Sequence, residues 1–389
     1  MDLETIIKNA PLLRQEQVKN ITACKTKSVQ VSGTNGKGST CAFLSAIFKA
    51  HGKRAGVYTS PHITDICERI EVAGEYINRA ELESLVNGLN DRQKGMCKSD
   101  LLFFAAVEYF NAKAVDFAVF ETGLGGTKDS ATLINHEYGI ITKLSLDHTE
   151  LLGNTIEEIT AEKAGIIKKD MMVYSYPNEC EEIIAKRCRE KGAELKMLHQ
   201  EDCAFNGGFS INAFGLNAEN VRLLMKGDFQ GLNCALALLC ARDMLGNEFN
   251  LEKAVNAVCA VNVFGRITEL CKNPLVIADV SHNPDGINAL CSYVKTLNGK
   301  KCAVAAIPKH KDYKTMGMLL NKCFDRVLCF KADETSVNPC EIGGDMCFET
   351  AEEAYKKAME QGFEIIVFCG SFAAVREAKK FFKNFSKKC

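Results

Sequence analysis

The 389-residue chain has almost no net charge: 48 basic residues stand against 49 acidic ones, leaving −1 with histidine neutral. It therefore lacks a sequence-wide field that would hold nucleic acid or an anionic membrane, and neither partner is expected. It also lacks any run of about 18 apolar residues able to span a bilayer. The opening "MDLETIIKNAPLLRQEQV" carries acidic residues early and no continuous apolar core, which argues against a secretory signal, so a cytoplasmic location is expected. Among the 19 cysteines there is no Cys-x-x-Cys pair, so neither a zinc knuckle nor a dithiol redox site is indicated. Most of them sit in apolar runs such as "NCALALLCA" and "KCAVAAI", where the thiol serves as a small buried hydrophobe. They are expected to be reduced packing residues. Internal repeats and low-complexity tracts are missing too. What is present is an ordinary composition, 47% hydrophobic and 25% charged, over a length suited to two domains.

Short runs of Val, Ile and Phe alternate with longer amphipathic stretches, the pattern of an α/β protein with mainly parallel strands. Strands are predicted over 28–33, over 114–123 running apolar into Glu121, and over 138–148 ending at His148. Helices are predicted over 39–52 and 155–167. Glu121 and His148 are thereby placed past the carboxyl ends of parallel strands, the edge where open α/β sheets bind ligands. From about residue 272 a second pattern begins, with "LVIADVS", "KCAVAAIP", "RVLCF" and "EIIVFCGS" as strands. The expected architecture is an N-terminal P-loop domain with a mainly parallel sheet (1–265) and a smaller Rossmann-like α/β domain (272–389). The hinge is expected at 264–274.

The segment "VSGTNGKGST", Val31–Thr40, has the content of a phosphate-binding loop. Its spacing departs from GxxxxGK[ST], because Gly38 separates Lys37 from Ser39. Between a buried strand and a helix, Gly33, Thr34, Asn35, Gly36, Lys37, Gly38, Ser39 and Thr40 would bind phosphate through backbone N–H groups and the helix N-terminus. Lys37 would contact the terminal phosphates and Ser39 would meet Mg²⁺.

"GTNGKGS" resembles the loop of the Mur-type amide ligases, and within them that of the folylpolyglutamate synthase/dihydrofolate synthase family. The resemblance continues in order through "TSPHITDICERIEVAG" (59–74), "ETGLGG" (121–126) and "LDHTELLGNTIEEITAEKAGI" (146–166). It then covers "DVSHNPDG" (279–286), "KHKDY" (309–313) and "GSF" (370–372). Carried over by position, it implies a Mg²⁺ site at Ser60, Glu121 and His148 beside Ser39, with K⁺ as a further candidate ion. It implies that Lys163 is carbamylated, and that His148 shares the catalytic work with Lys37 and Lys163. Asn233, Arg266, Asp279 and His282 fall where the family contacts ATP. Lys311, Asp312 and Ser371 become candidates for the incoming amino acid. On the folate side, the family's Arg-Leu-Asp-Ala-Thr-Asn is replaced here by residues 127–132, which retain Asp129 and offer Lys128. Asp100 stands where the family has the glutamate of a Phe-Glu pair.

The implied reaction is ATP-dependent addition of L-glutamate to the carboxylate of a folate through an acyl phosphate, with dihydropteroate as a second acceptor. The alternative is a Mur-type ligase acting on another carboxylate and amino acid. A cell-wall ligase would carry a uridine-nucleotide domain before the loop, whereas only 32 residues precede Gly33. A P-loop kinase would leave Lys163 and the second domain's motifs unexplained. The expected partners are small molecules, namely folate, L-glutamate and ATP, and the expected state is a monomer.

Overall fold

The computed structural model describes residues 2–11, 22–92 and 95–383. They divide into two compact units. The first comprises Met1–Leu144, Asn154–Leu223 and Gly231–Val261, and the second Ser145–Gly153, Leu224–Gln230 and Asn262–Cys389.

The first unit is built on eight strands: β1 (Lys27–Ser32), β2 (Ala55–Tyr58), β3 (Ile70–Val72), β4 (Glu75–Tyr76), β5 (Phe117–Glu121), β6 (Tyr138–Ile141), β7 (Met172–Ser175) and β8 (Glu194–Met197). Their order is β4-β3-β2-β5-β1-β6-β7-β8. Every pairing from β2 to β8 is parallel, while β3 and β4 add an antiparallel edge. β2 and β5 are buried throughout and β1 at all but its first residue, as expected of parallel strands covered on both faces. The antiparallel edge was not legible in the sequence. Nor was a separate sheet of β9 (Cys203–Phe205), β10 (Phe209–Ala213) and β11 (Leu216–Val221), whose short strands are partly exposed.

The second unit carries β12 (Thr268–Lys272), β13 (Leu275–Ala278), β14 (Lys301–Ala305), β15 (Arg326–Phe330), β16 (Met346–Phe348) and β17 (Ile365–Cys369). They are ordered β12-β13-β17-β14-β15-β16, parallel except for β12. Successive residues feed opposite cores. Ile277, Ala303, Val327 and Val367 enter one cluster, whereas Val276, Cys302, Leu328 and Ile366 enter the other. Helices cover both faces, the Rossmann-like arrangement expected.

Two expectations need correction. The strand predicted over 138–148 ends at Ile141, because Thr142 and Lys143 turn to bind the loop after β1. Cysteine packing holds for most thiols, including the buried Cys41, Cys234, Cys302 and Cys369. Cys340 and Cys347, however, form a disulfide in an exposed segment where no core exists for them to fill. No helix among the described residues is long and apolar enough to cross a membrane.

Candidate active site

In the first unit the site begins where β1 runs out. Residues 33–36 turn into the helix Lys37–Ala50, whose N-cap, Gly36, has φ +94 and no side-chain cap. The backbone there is shaped by the carbonyl of Lys143, which accepts from Thr34 N (2.7 Å) and Asn35 N (3.2 Å). The Thr142 hydroxyl donates to the carbonyl oxygens of Ser32 and Asn35. A Cβ at Gly36 would lie 2.3 Å from Asn233 Oδ1, so glycine is required twice over, by φ and by space. Asn233, on the helix Phe229–Leu245, is buried and packed against the loop. Ser39 and Thr40 are buried in the first helical turn, and the Thr40 hydroxyl donates to the Gly36 carbonyl.

Two ammonium groups converge on one loop oxygen. Lys37 Nζ donates to the carbonyls of Gly33 (3.0 Å) and Thr34 (3.1 Å), and Lys163 Nζ donates to the same Gly33 carbonyl at 2.8 Å. Lys163 lies at the end of the helix Ile156–Lys163 and is only 5% exposed. It is therefore not the solvent-facing partner of Glu158 or Glu162 that helix spacing alone would allow.

Alongside, Glu121 at the end of β5 is buried, and its Oε2 accepts from Ser60 N at 3.0 Å. The Ser60 hydroxyl is shielded from solvent and has no hydrogen-bond partner. Leaving such a group unsatisfied costs about 1–3 kcal/mol, which a bound cation would remove. Asp129 closes this corner, with Oδ2 accepting from Gly123 N (2.9 Å) and Leu124 N (3.0 Å) and Oδ1 accepting from Ala131 N. Lys128 is exposed nearby. Among the described residues no three His, Cys, Asp or Glu side chains cluster as a metal cage. A divalent ion here would rest on hydroxyl and single-carboxylate ligands and on the phosphates of a nucleotide, a donor set that suits Mg²⁺.

In the second unit a single carboxylate organises the chemistry-bearing side chains. Asp147 accepts from Lys311 Nζ at 2.6 Å through Oδ1 and from Asn283 Nδ2 at 3.1 Å through Oδ2, with His282 Nε2 3.6 Å away. Lys311 Nζ also donates to His148 Nε2 at 2.9 Å, and His310 stacks on the His148 ring. Burial, then the Lys311 charge, holds His148 down to about 4 and His282 to about 3, so both imidazoles are neutral at pH 7. A neutral imidazole is the form that ligates a metal. Burial alone would raise Asp147, but the Lys311 charge, joined in acid by His282 and His148 once they are protonated, holds it well below the ordinary carboxylate range. Arg266 and His282 both lie against the Phe372 ring. Asp279 accepts from Ile267 N and Ser281 N, and its burial raises the carboxyl above its usual value despite the Arg266 charge.

Three of the expected substrate residues are engaged in local structure instead. Asp100 is fully buried; it caps the helix Lys98–Ala112 through Cys97 N (3.1 Å) and accepts from the Ser130 hydroxyl (2.8 Å). Asp312 caps the helix Tyr313–Cys323. The buried Ser371 hydroxyl donates to the Ala306 carbonyl and accepts from Ala374 N. Asp147, Asn283 and His310 were missed, although each directly adjoins a residue singled out in "LDH", "SHNP" or "KHKD". Thr142 and Lys143 carried no motif at all.

The Mur ligase middle domain family matches residues 31–241, and the Mur ligase glutamate ligase domain family matches 265–372. The dihydrofolate synthase/folylpolyglutamate synthase of Bacillus subtilis (strain 168) is 31% identical over 317 residues, covering 75% of this chain and 73% of that one. The solved structure of Escherichia coli FolC in complex with DHPP and ADP superposes with a TM-score of 0.88 at 25% identity, over 94% of this chain and 90% of that one. A bifunctional folylpolyglutamate synthase/dihydrofolate synthase with Mn, AMPPNP and L-glutamate bound superposes with a TM-score of 0.85 at 25% identity, over 98% and 91% of the two chains. With its loop, its buried lysine and its second-unit motifs in family order, the chain belongs to the dihydrofolate synthase/folylpolyglutamate synthase family of Mur ligases.

Proposed function

We propose that this protein joins L-glutamate to the carboxylate of a folate at the expense of ATP. The observation that carries the reading is the convergence of Lys37 and buried Lys163 on the Gly33 carbonyl of the nucleotide loop. Neither a kinase nor a bare nucleotide-binding loop accounts for the second lysine. In this reading the 33–40 loop and Asn233 hold the nucleotide, and Arg266, Asp279 and His282 are the second unit's nucleotide residues. Mg²⁺ is assigned to Ser39, Ser60 and Glu121, and His148 keeps the metal-ligand candidacy that the family resemblance gives it. When bound, the ion would offset charge on the phosphates during transfer.

The folate carboxylate attacks the γ-phosphate, forming a carbon–oxygen–phosphorus link and releasing ADP. The glutamate amine then attacks the carbonyl carbon, and phosphate leaves with the electron pair of the broken C–O bond. Lys37 would release its loop carbonyls to follow the migrating charge. Lys163 acts as its carbamate, an anion that a metal stabilises. A carbamate forms only from the neutral amine, under 1% of a lysine of ordinary pKa ~10.4 at pH 7, so the site must trap the product. Lys311, Asp129 and Lys128 remain candidates for substrate contacts, with Lys311 orienting the glutamate from its pair with Asp147. The monomeric state, cytoplasmic location and K⁺ candidacy belong to the same reading. So does dihydropteroate as a second acceptor.

Lys163→Ala is expected to abolish ligation while ATP affinity, measured by calorimetry, stays within about threefold. Full activity in that variant would remove Lys163 from the mechanism.

A further inference from the structure

Among the described residues the only two exposed cysteines are bonded to each other. Sixteen others are buried or half-buried free thiols, whereas Cys340 and Cys347 both face solvent and form a disulfide. The bond lies at the rim of the second unit's sheet. Cys340 belongs to the single helical turn Pro339–Glu341, and Cys347 is the middle residue of β16, which pairs only with β15 among the described strands. Neither cysteine enters the unit's hydrophobic clusters. The sequence separation is only 7, so the bond removes less freedom from the unfolded chain than one closing a long loop. Stabilising the fold accounts for neither its position nor its exposure.

Non-covalent contacts shape the ring independently of the sulfur–sulfur bond. Asp345 N donates to the Val327 carbonyl at 2.8 Å, and the Asp345 carboxylate accepts from Val327 N (2.7 Å) and Arg326 Nη1 (2.9 Å). Ile342 is buried in one cluster with Met316 and Leu320 of the helix Tyr313–Cys323. From the same helix, Asn321 Nδ2 donates to the Gly343 carbonyl at 2.8 Å, and Gly317 lies so close to the Ile342 carbonyl that a Cβ has no room. On the other flank, Cys340 N donates to Asn338 Oδ1 at 3.1 Å. The two cysteine Cα atoms stand 5.6 Å apart, an ordinary separation for a disulfide. Held by these contacts, the two thiols stay within reach of one another when the bond is open.

We infer that Cys340 and Cys347 are a reversible thiol–disulfide site, a clasp on β16 and on the helix Tyr313–Cys323, whose reaction partner is a dithiol reductant. One thiolate of the reductant attacks a protein sulfur and forms a mixed disulfide, while the other cysteine leaves as thiolate and takes up a proton. The second thiol of the reductant then attacks the mixed disulfide, frees the remaining cysteine as a thiol and leaves the reductant as its own disulfide. Two electrons and two protons pass to the protein, and an oxidised dithiol reverses the sequence. Exposure lets the partner reach the bond, and in a reducing compartment such bonds are the ones that open and close. The exchange stays local. Cys329 is the register partner of Cys347 but is fully buried, and burial pushes its thiol up to about 12, so it stays protonated and does not attack.

The experiment equilibrates the purified full chain with reduced or with oxidised dithiothreitol, alkylates free thiols without denaturant and maps them by peptide mass spectrometry. Hydrogen–deuterium exchange is followed on the same samples. Under mild reduction Cys340 and Cys347 should become alkylated together, and transfer to oxidised dithiothreitol before alkylation should restore their bond. Amide exchange should quicken by about threefold or more over 342–348 and in the last turn of the helix Tyr313–Cys323 on reduction, with β13, β14 and β17 unchanged. Cys340→Ser and Cys347→Ser should each show the reduced pattern whichever reagent is present, and either variant serves should the other fold poorly. Free Cys340 and Cys347 after oxidation, bonding of either to another cysteine, opening only in denaturant, or identical amide exchange in the two states would overturn the assignment.

Discussion

Replacing Gly36 by alanine puts a methyl group where the loop has no room for one. At φ +94 the residue lies where an L-side chain is strained by about 1–2 kcal/mol. The new Cβ would also stand 2.3 Å from Asn233 Oδ1, so either Asn233 or the loop must shift. If the loop holds ATP, both effects fall on nucleotide affinity. Since 1.4 kcal/mol is tenfold, a loss of roughly 10–30-fold in MgATP affinity is expected by titration calorimetry. The steric part can be separated from the φ strain by a double-mutant cycle. Asn233→Ala costs affinity by itself, but in the Gly36→Ala background it also removes the obstructing atom. The double variant should bind ATP at least about fivefold more tightly than the two single losses multiplied together. Unchanged ATP affinity in Gly36→Ala, or strict additivity of the two substitutions, would refute this account of the loop.

Asp100→Ala should lower stability by about 2 kcal/mol in denaturant titration, from loss of a cap and an orphaned Ser130, while KM values hold; a selective KM rise would restore Asp100 to the substrate site. His136 supplies a pH test. Its Nδ1 lies 2.9 Å from the Ser28 hydroxyl and its Nε2 2.8 Å from the Ala131 carbonyl, and burial holds it down to about 4 against an ordinary 6.5. As pH falls the unfolded chain takes up that proton first, so stability should decline from about pH 6.5 towards 4, by about 2.5 kcal/mol at pH 4.5. His136→Gln should flatten that part of the urea-denaturation profile, and an unaltered slope would contradict the assignment. Short-chain carboxylates should return some activity to Lys163→Ala if the missing group is an anion, and no recovery at any concentration would count against a carbamate.

The elements that were legible in the sequence share one property, which is burial on both faces. "SVQVS", "DFAVFE" and "EIIVFC" are continuous apolar runs, and such a run has few alternatives to a central parallel strand. The edge strand Glu75–Tyr76 is exposed at both residues and Thr268–Lys272 is buried at only one, so neither carries such a signal. The antiparallel sheet of β9–β11 was invisible for the same reason. The end of β6 was overrun because "TKLSLDH" continues the alternation of a strand, whereas Thr142 and Lys143 bond to the loop. At the site, motif residues such as Lys37, Lys163 and Glu121 could be named from type and order. Asp147 could not, because an aspartate beside a histidine becomes a hub only when the fold brings Lys311 and Asn283 to it from more than a hundred residues away. Asp100 shows the converse, a plausible ligand that the fold uses as a cap.

The central claim is tested most directly by following ADP release from MgATP and L-glutamate with tetrahydrofolate, with dihydropteroate, and with no acceptor, the products being weighed by mass spectrometry. The account predicts glutamate-dependent ADP release with tetrahydrofolate and a product heavier by one glutamyl unit. ADP release without any glutamyl adduct of either acceptor would contradict it and redirect the search to another carboxylate substrate.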